Sequence, residues 1–323
     1  MQNISFGYYI EDELKKVEKQ FETHLVTETP LIYKVAEYVI SSGGKRIRPI
    51  LLIVSSKICG YKGGEHIPLA AVIEFIHTAT LLHDDVVDNA PLRRGKASAN
   101  TIFGNEASVL VGDYLFAKSF KILSDFDNID IIKAYSDAAT LMAEGEVKEL
   151  VKTADIETDE EDYLDIIIKK TAVLFACASQ TGAIIAGKGK NYIKKLYDYG
   201  LNIGIAFQLM DDALDYISDK EFGKFIGNDL KEGKFTLPLI HAIERANKDE
   251  KEIISKIIYK KKLTGKDLKT VLTIVKGYGS IDYTVSKAKE AVEKAKENLN
   301  IFPDSEHKTS LINIADYIIG RKL

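Results

Sequence analysis

The sequence predicts an all-α fold: one large helical bundle forming a single domain, residues 1–323. Three observations carry that prediction. Only six prolines occur in 323 residues, and proline breaks helix interiors, so long helices are open to this chain. Apolar residues recur at three- and four-residue spacing, as a helix with one buried face requires. Runs with two-residue alternation, the signature of a half-buried strand, are scarce.

The elements follow in order. Met1 to Lys16 carries acidic residues and no long apolar core, so it does not read as a secretory signal. Polar breaks fall at Ser41 to Lys45, Gly60 to Gly64, Ala90 to Lys96, Lys188 to Lys190, Phe222 to Gly233 and Asn300 to Asp304. They set off roughly ten or more helices. Leu69 to Leu82 is an apolar helical run. Ile131, Ala134, Tyr135, Ala138, Leu141 and Met142 keep the helical period, as do Val285, Ala288, Ala291, Val292 and Ala295. Thr158 with Glu161 predicts a capping box, and Ser305 after Pro303 and Asp304 predicts the start of the last helix. Thr171 to Gly187 is 17 uncharged residues long, short of the roughly 20 that a bilayer span needs, so a buried helix is expected. No linker or internal repeat divides the chain.

Charge and cysteine usage narrow the function. Lys plus Arg number 44 and Asp plus Glu 48, a net −4, which argues against a nucleic-acid binder that works by neutralising phosphates. Cys59 and Cys177 are the two cysteines. They rule out a disulfide framework and a four-cysteine zinc site, and suit a reducing cytosol. A cytoplasmic enzyme without an integral membrane segment is expected.

Two aspartate triplets are the sharpest feature. Asp84, Asp85 and Asp88 follow the apolar run Leu69 to Leu82; Asp211, Asp212 and Asp215 close a second apolar run after Phe207. In each, the first and last aspartates are i and i+4, on one helix face. Like charges at that spacing cost a helix a few tenths of a kcal/mol. A divalent cation is a reason to keep them, and Mg²⁺ takes oxygen ligands from few carboxylates plus substrate phosphates. Basic residues stand beside both triplets: Lys45 and Arg48 in a turn starting at Gly43, Arg93 and Arg94 just after the first triplet, and Lys224 and Lys234 after the second. Arg offers phosphate a planar fork and Lys a point charge. Two polyanionic groups are expected, one metal-bound and one held by Lys and Arg.

The segments GGKRIRP from Gly43, HTATLLHDDVVDNAPLRRGKASAN from His77, VGD from Val111, EGEV from Glu144, KT at Lys170, FQLMDDALDY from Phe207 and GNDLKEGKFTLPL from Gly227 resemble the trans-polyprenyl diphosphate synthases, most of all the long-chain bacterial type. The resemblance implies an isoprenoid-synthase bundle around a central apolar cavity, working as a homodimer. It implies three Mg²⁺ ions, with Asp84, Asp88, Asp211 and Asp215 as ligands and Asp85 and Asp212 in support. Lys45, Arg48, His77 and Arg94 would hold isopentenyl diphosphate. Arg93, Lys170, Lys224 and Lys234 would hold the allylic diphosphate, farnesyl or geranylgeranyl. Thr171 and Gln208 would lie near the developing allylic cation. Asn228 departs from the pattern, since relatives often carry an aspartate before Asp229.

The implied reaction is head-to-tail condensation, with ionisation of the allylic diphosphate, attack by the isopentenyl double bond and loss of a proton. His83, beside Asp84, reads as a packing residue. Product length in this family is set four or five residues before the first aspartate, where Thr80 and Ala79 are both small. A floor at least a turn of about 5.4 Å deeper, near Phe75 or Ile76 or on a neighbouring helix, gives a product of about forty carbons, within about thirty-five to fifty, suited to quinone side chains. On the same reasoning Ala79→Tyr shortens it. The alternatives are a short-chain synthase, a non-catalytic subunit of a heteromeric synthase, a terpene cyclase lacking an isopentenyl site, and a di-iron bundle. The last would use Glu74 and His77 but lacks a second Glu-x-x-His.

Overall fold

Local chemistry sets where the helices begin. Pro30 and Pro238 each stand in the first turn of a helix, where the missing N–H costs nothing. Asn247 with Glu250 and Thr264 with Asp267 form reciprocal capping boxes. Ser305 Oγ accepts from the Lys308 N–H at 3.2 Å and so opens the last helix as expected. Thr158 does not cap. The helix starts one residue later at Asp159, whose carboxylate accepts from the Asp162 N–H at 2.8 Å. Glu160, Glu161 and Asp162 then fill the first turn, where the helix dipole favours negative charge.

The computed structural model describes residues 8–217, 227–260 and 263–320. In chain order the helices are α1 (Tyr8–His24), α2 (Pro30–Ser41), α3 (Ile47–Ile58), α4 (His66–Val87), α5 (Ala99–Phe103), α6 (Asn105–Leu123), α7 (Ile129–Lys152), α8 (Glu160–Ile167), α9 (Val173–Ile185), α10 (Lys190–Asp215), α11 (Asn228–Lys231), α12 (Leu237–Arg245), α13 (Lys248–Ile258), α14 (Gly265–Gly277), α15 (Ser280–Asn298) and α16 (Glu306–Ile319). A π-helical turn, Ile168–Ala172, joins α8 to α9. The break at Ala90 to Lys96 holds the described strands, β1 (Leu92–Arg93) and β2 (Lys96–Ala97), paired antiparallel. Arg94 and Gly95 both have positive φ, 52° and 77°, the conformation that a two-residue hairpin turn demands. The break at Phe222 to Gly233 is helical at α11, and Lys224 lies outside the described residues.

By its contacts the chain divides into two units. The first comprises Met1–Ala139, Cys177–Tyr197 and Ile301–Leu311. In it α4 packs on α1, α3 and α6. Leu69 to Phe75, Leu82 and the α3 run Ile50 to Val54 are almost wholly withdrawn from solvent. Gly182 of α9 lies against α3. A Cβ there would sit 2.5 Å from the Ser56 N and 2.6 Å from the Ser55 C. Those are backbone atoms and cannot yield as a side chain would, so Gly182→Ala should cost about 2–3 kcal/mol. Thermal unfolding checks this, and an unchanged Tm would mean that α3 and α9 are free to part. Cys59 and Cys177 are both buried free thiols in this unit, and burial pushes each up to about 12, so neither is a ready nucleophile.

The second unit comprises Thr140–Ala176, Asp198–Asn300 and Ile312–Leu323. There α12 packs on α8, α14 and α15. Two glycines clamp the π-turn. A Cβ at Gly145 of α7 would lie 2.6 Å from the Lys170 N, and one at Gly204 of α10 would lie 2.5 Å from the Ala172 Cα. A π-turn is a rare distortion that accompanies functional positions, and here it carries Lys170 and Thr171. Among the described residues no helix is long and apolar enough to cross a membrane.

Candidate active site

The site residues fall into two sets, one in each unit. In the first unit α4 is buried over most of its surface, but His77, Thr80, Leu81, Asp84 and Asp88 are partly exposed. Their spacing of three and four residues makes one accessible row along the helix. Asp88 is the C-cap of α4, and its N–H bonds the Asp84 carbonyl at 2.8 Å. Asp85 points the other way. It is 1% exposed and accepts from Arg93 Nε at 2.7 Å. Burial raises its pKa, although Arg93 pulls the other way.

Basic residues from the α2–α3 turn, the start of α3 and the β1–β2 hairpin act on His77 of α4. Gly44 of the α2–α3 turn lies under the Arg94 guanidinium, where a Cβ would meet Nη1 at 3.1 Å. Burial first, and then the charges of Arg48, Arg94, Arg93 and Arg46, hold the His77 imidazole well below its usual range. At neutral pH it is therefore a neutral hydrogen-bonding group beside the arginines. His83 packs as expected: its ring stacks on Phe116 with centroids 6.0 Å apart, and its Nε2 lies 3.3 Å from Asp113. Gly112 makes room for that ring, since a Cβ there would overlap it. Phe75 is fully buried and packs on Phe21 of α1 with centroids 5.4 Å apart. Ala79 is likewise 0% exposed.

The second unit repeats the pattern of the first triplet. Asp211 and Asp215 are partly exposed and Asp212 is buried. Tyr163 of α8 donates to Asp212 Oδ2 at 2.7 Å, and Gln208 Nε2 donates to Oδ1 at 2.7 Å. Thr171 of the π-turn donates to Gln208 Oε1 at 3.0 Å. Burial pushes the Asp212 carboxyl up to about 7, against the pull of these donors. Asp215 caps α11, accepting the N–H groups of Asn228 and Asp229 at 3.2 Å each. Asn228 enters through its backbone, so its side chain is not needed for that contact.

Around Asp212 a cavity of about 150 Å³ is lined by Lys170, Thr171, Gln208, Asp229, Lys234 and neighbouring side chains. Lys170 Nζ lies 2.7 Å from Glu146 and 2.6 Å from Glu149, and Lys234 pairs with Glu232 at 2.9 Å. Asp229 is held well above the usual carboxylate range by burial and by the charges of Asp212 and Asp215. Tyr163 and Glu149 were not singled out from the sequence, and Glu146 and Asp229 entered only through the segments EGEV and GNDLKEGKFTLPL. The two glutamates are i and i+3 on α7 and could have been read as a lysine clamp. Tyr163 carries no local signal, because a buried tyrosine in an apolar stripe looks like core.

One consequence of this setting is measurable. The Asp212 pKa is raised from 3.8, so the folded chain holds that proton more tightly than the unfolded chain does. The stability contributed is full below about pH 4 and is lost as the pH rises through about 7. Asp212→Asn removes the dependence. Without metal, its Tm relative to the unchanged chain should climb between about pH 4 and pH 7. A constant offset would mean that the carboxyl ionises normally.

The family model for polyprenyl synthetases matches residues 29–275. The chain belongs to the polyprenyl synthetase family. This polyprenyl synthetase is 41% identical to the octaprenyl diphosphate synthase of Haemophilus influenzae over 312 residues, which cover 96% of this chain and 94% of that one. The solved decaprenyl diphosphate synthase of Rhodobacter capsulatus superposes with a TM-score of 0.93 at 38% identity, covering 98% of both chains. A polyprenyl synthase from Caulobacter crescentus, solved in complex with calcium and isoprenyl diphosphate, gives 0.93 at 40% identity over 98% of this chain and 96% of that one. The fold is thus the all-α isoprenoid-synthase type. The chain is a prenyltransferase, and it condenses isopentenyl diphosphate with allylic diphosphates into all-trans polyprenyl diphosphates.

Proposed function

We propose that this synthetase makes a product of about eight isoprene units from a farnesyl or geranylgeranyl primer, because Thr80 and Ala79, four and five residues before Asp84, are both small. The observation that carries the metal assignment is the repeated pattern of the triplets. In both, the outer aspartates reach solvent while the middle one is buried and held by protein donors.

An all-oxygen donor set on exposed carboxylates fits a hard cation that keeps waters and shares substrate phosphates. Asp84 on α4, Asp88 at its C-cap and Asp211 on α10 would hold it, with Asp215 joining through lone pairs that α11 leaves over, and three Mg²⁺ are expected. Bound there, Mg²⁺ supplies Lewis-acid neutralisation of the diphosphate leaving group. The protein's own residues do the rest. Lys170 and Lys234 take the allylic diphosphate, exchanging carboxylate partners for phosphate oxygens, and Arg93 adds charge. Lys45, Arg48, His77 and Arg94 hold isopentenyl diphosphate, with His77 neutral. The hydroxyl of Thr171 and the amide of Gln208, oriented by Asp212, stabilise the allylic cation once the C–O bond ionises. The isopentenyl double bond attacks that cation, and a proton leaves to the released pyrophosphate.

A cytoplasmic homodimer serving quinone side chains is part of the same reading. The buried thiols suit a reducing compartment. On α7, Val147, Leu150 and Val151 stand exposed within one turn, an apolar row that a second copy would cover. The test is incubation with farnesyl diphosphate, labelled isopentenyl diphosphate and Mg²⁺, with products resolved by length. A ladder ending near about forty carbons supports the reading. Products stopping at about fifteen or twenty carbons keep the reaction and overturn the length. No incorporation points to a missing subunit.

A further inference from the structure

We propose that Glu74 and Arg46 are a positioning pair that sets the geometry of the isopentenyl diphosphate residues, an inference that rests on the function proposed above. Arg46 is the N-cap of α3, and its backbone is left-handed, with φ 49° and ψ 32°. A residue with a side chain pays for that conformation, so something must hold it there. Its guanidinium is held on three sides. It donates to Glu74 Oε2 of α4, it donates to the Ile40 carbonyl of α2 at 2.8 Å, and it lies over the Phe21 ring of α1, 5.3 Å from the centroid. The Glu74 side chain is 5% exposed and that of Arg46 16%. One buried guanidinium therefore ties three helices to the turn that precedes the fourth.

The diphosphate residues lie on what this pair locks. Lys45 is its chain neighbour, and Arg48 stands in the first turn of α3. His77 follows Glu74 by three residues, on the same face of α4. Arg94 rests on Gly44 of the same turn. Glu74 also answers the crowd of positive charge. Its field acts on Arg94, where the charges of Arg93 and Arg46 oppose it. With its carboxylate engaged by Arg46, Glu74 is not a spare metal ligand, which removes the di-iron alternative.

Glu74→Gln keeps the size and removes the charge. The KM for isopentenyl diphosphate should rise about tenfold or more, as loss of a buried charge-assisted contact implies, with kcat and the allylic KM within about twofold. Metal-free calorimetric titration with isopentenyl diphosphate should show the same loss in Kd. A lower Tm with an unchanged isopentenyl KM and Kd would overturn the proposal, leaving the pair merely structural. If Glu74→Gln does not fold, the double variant Glu74→Met, Arg46→Met replaces a buried pair by apolar groups, a change often neutral for stability. Its isopentenyl Kd should still weaken, and a native value would again overturn the proposal. Failure of the unsubstituted chain to incorporate isopentenyl diphosphate would sink the reaction instead, and the titration would still decide the pair.

Discussion

On the proposed assignment, Asp84→Ala lowers kcat/KM by about 10³-fold or more, and Asp211→Ala does the same, because each removes a carboxylate that would hold Mg²⁺, an effect of several kcal/mol. Neither should unfold the chain. Both side chains are partly exposed, and on α4 the removal relieves a like-charge i, i+4 pair worth a few tenths of a kcal/mol. The contrast is Asp85, buried and paired with Arg93; removing it would confound folding with catalysis. Steady-state rates read beside thermal melts separate the two effects. Turnover within about tenfold of the unchanged chain, with a normal melt, would mean that the outer aspartates hold no metal.

Thr80→Tyr should cut the product from about forty carbons to about fifteen or twenty, since one ring spans about one helical turn. Thr80 sits one turn before Asp84 in the accessible row of α4, and its hydroxyl already bonds the His77 carbonyl at 2.8 Å. A ring there projects along the accessible row toward the N-terminal end of α4. Ala79→Tyr carries the same expectation at a greater cost. Ala79 is 0% exposed and lies about 140° around the helix from Asp84. Overpacking at such a site costs about 1–3 kcal/mol, so its melt should fall while that of Thr80→Tyr stays close to the original. The measurement is product length by chromatography together with Tm. A Thr80→Tyr variant that still makes the full-length product would place the length determinant elsewhere.

Much of the site was legible because it rests on residue type and helical period. Asp84 and Asp88, one turn apart after an apolar run, needed only the i, i+4 rule, and the same rule served Asp211 and Asp215. Polar breaks and capping residues marked most helix ends. Asp159 was missed as a cap because Thr158 with Glu161 satisfies the same pattern one residue earlier, and only the path of the chain chooses between them. The β1–β2 hairpin was missed because two-residue strands have no period to read, and Arg94 is an unusual residue for a left-handed turn.

By itself, then, the sequence determined the fold class, the paired aspartate triplets and the basic turns, all of which follow from periodicity and from what phosphate and Mg²⁺ require of side chains. Tertiary structure alone decided what holds the middle aspartate of each triplet out of solvent. Asp85 and Asp212 are chemically identical to their neighbours in sequence, but burial and donors from Arg93, Tyr163 and Gln208 set them apart. It also decided that Glu74 belongs to Arg46, and that Gly145 and Gly204 exist to let two helices close on the π-turn. The physical reason is common to all of these. Each depends on how separate helices and turns pack, as Tyr163 on Asp212 and Glu74 on Arg46 do across 49 and 28 residues, and desolvation acts on a side chain only after such packing has formed.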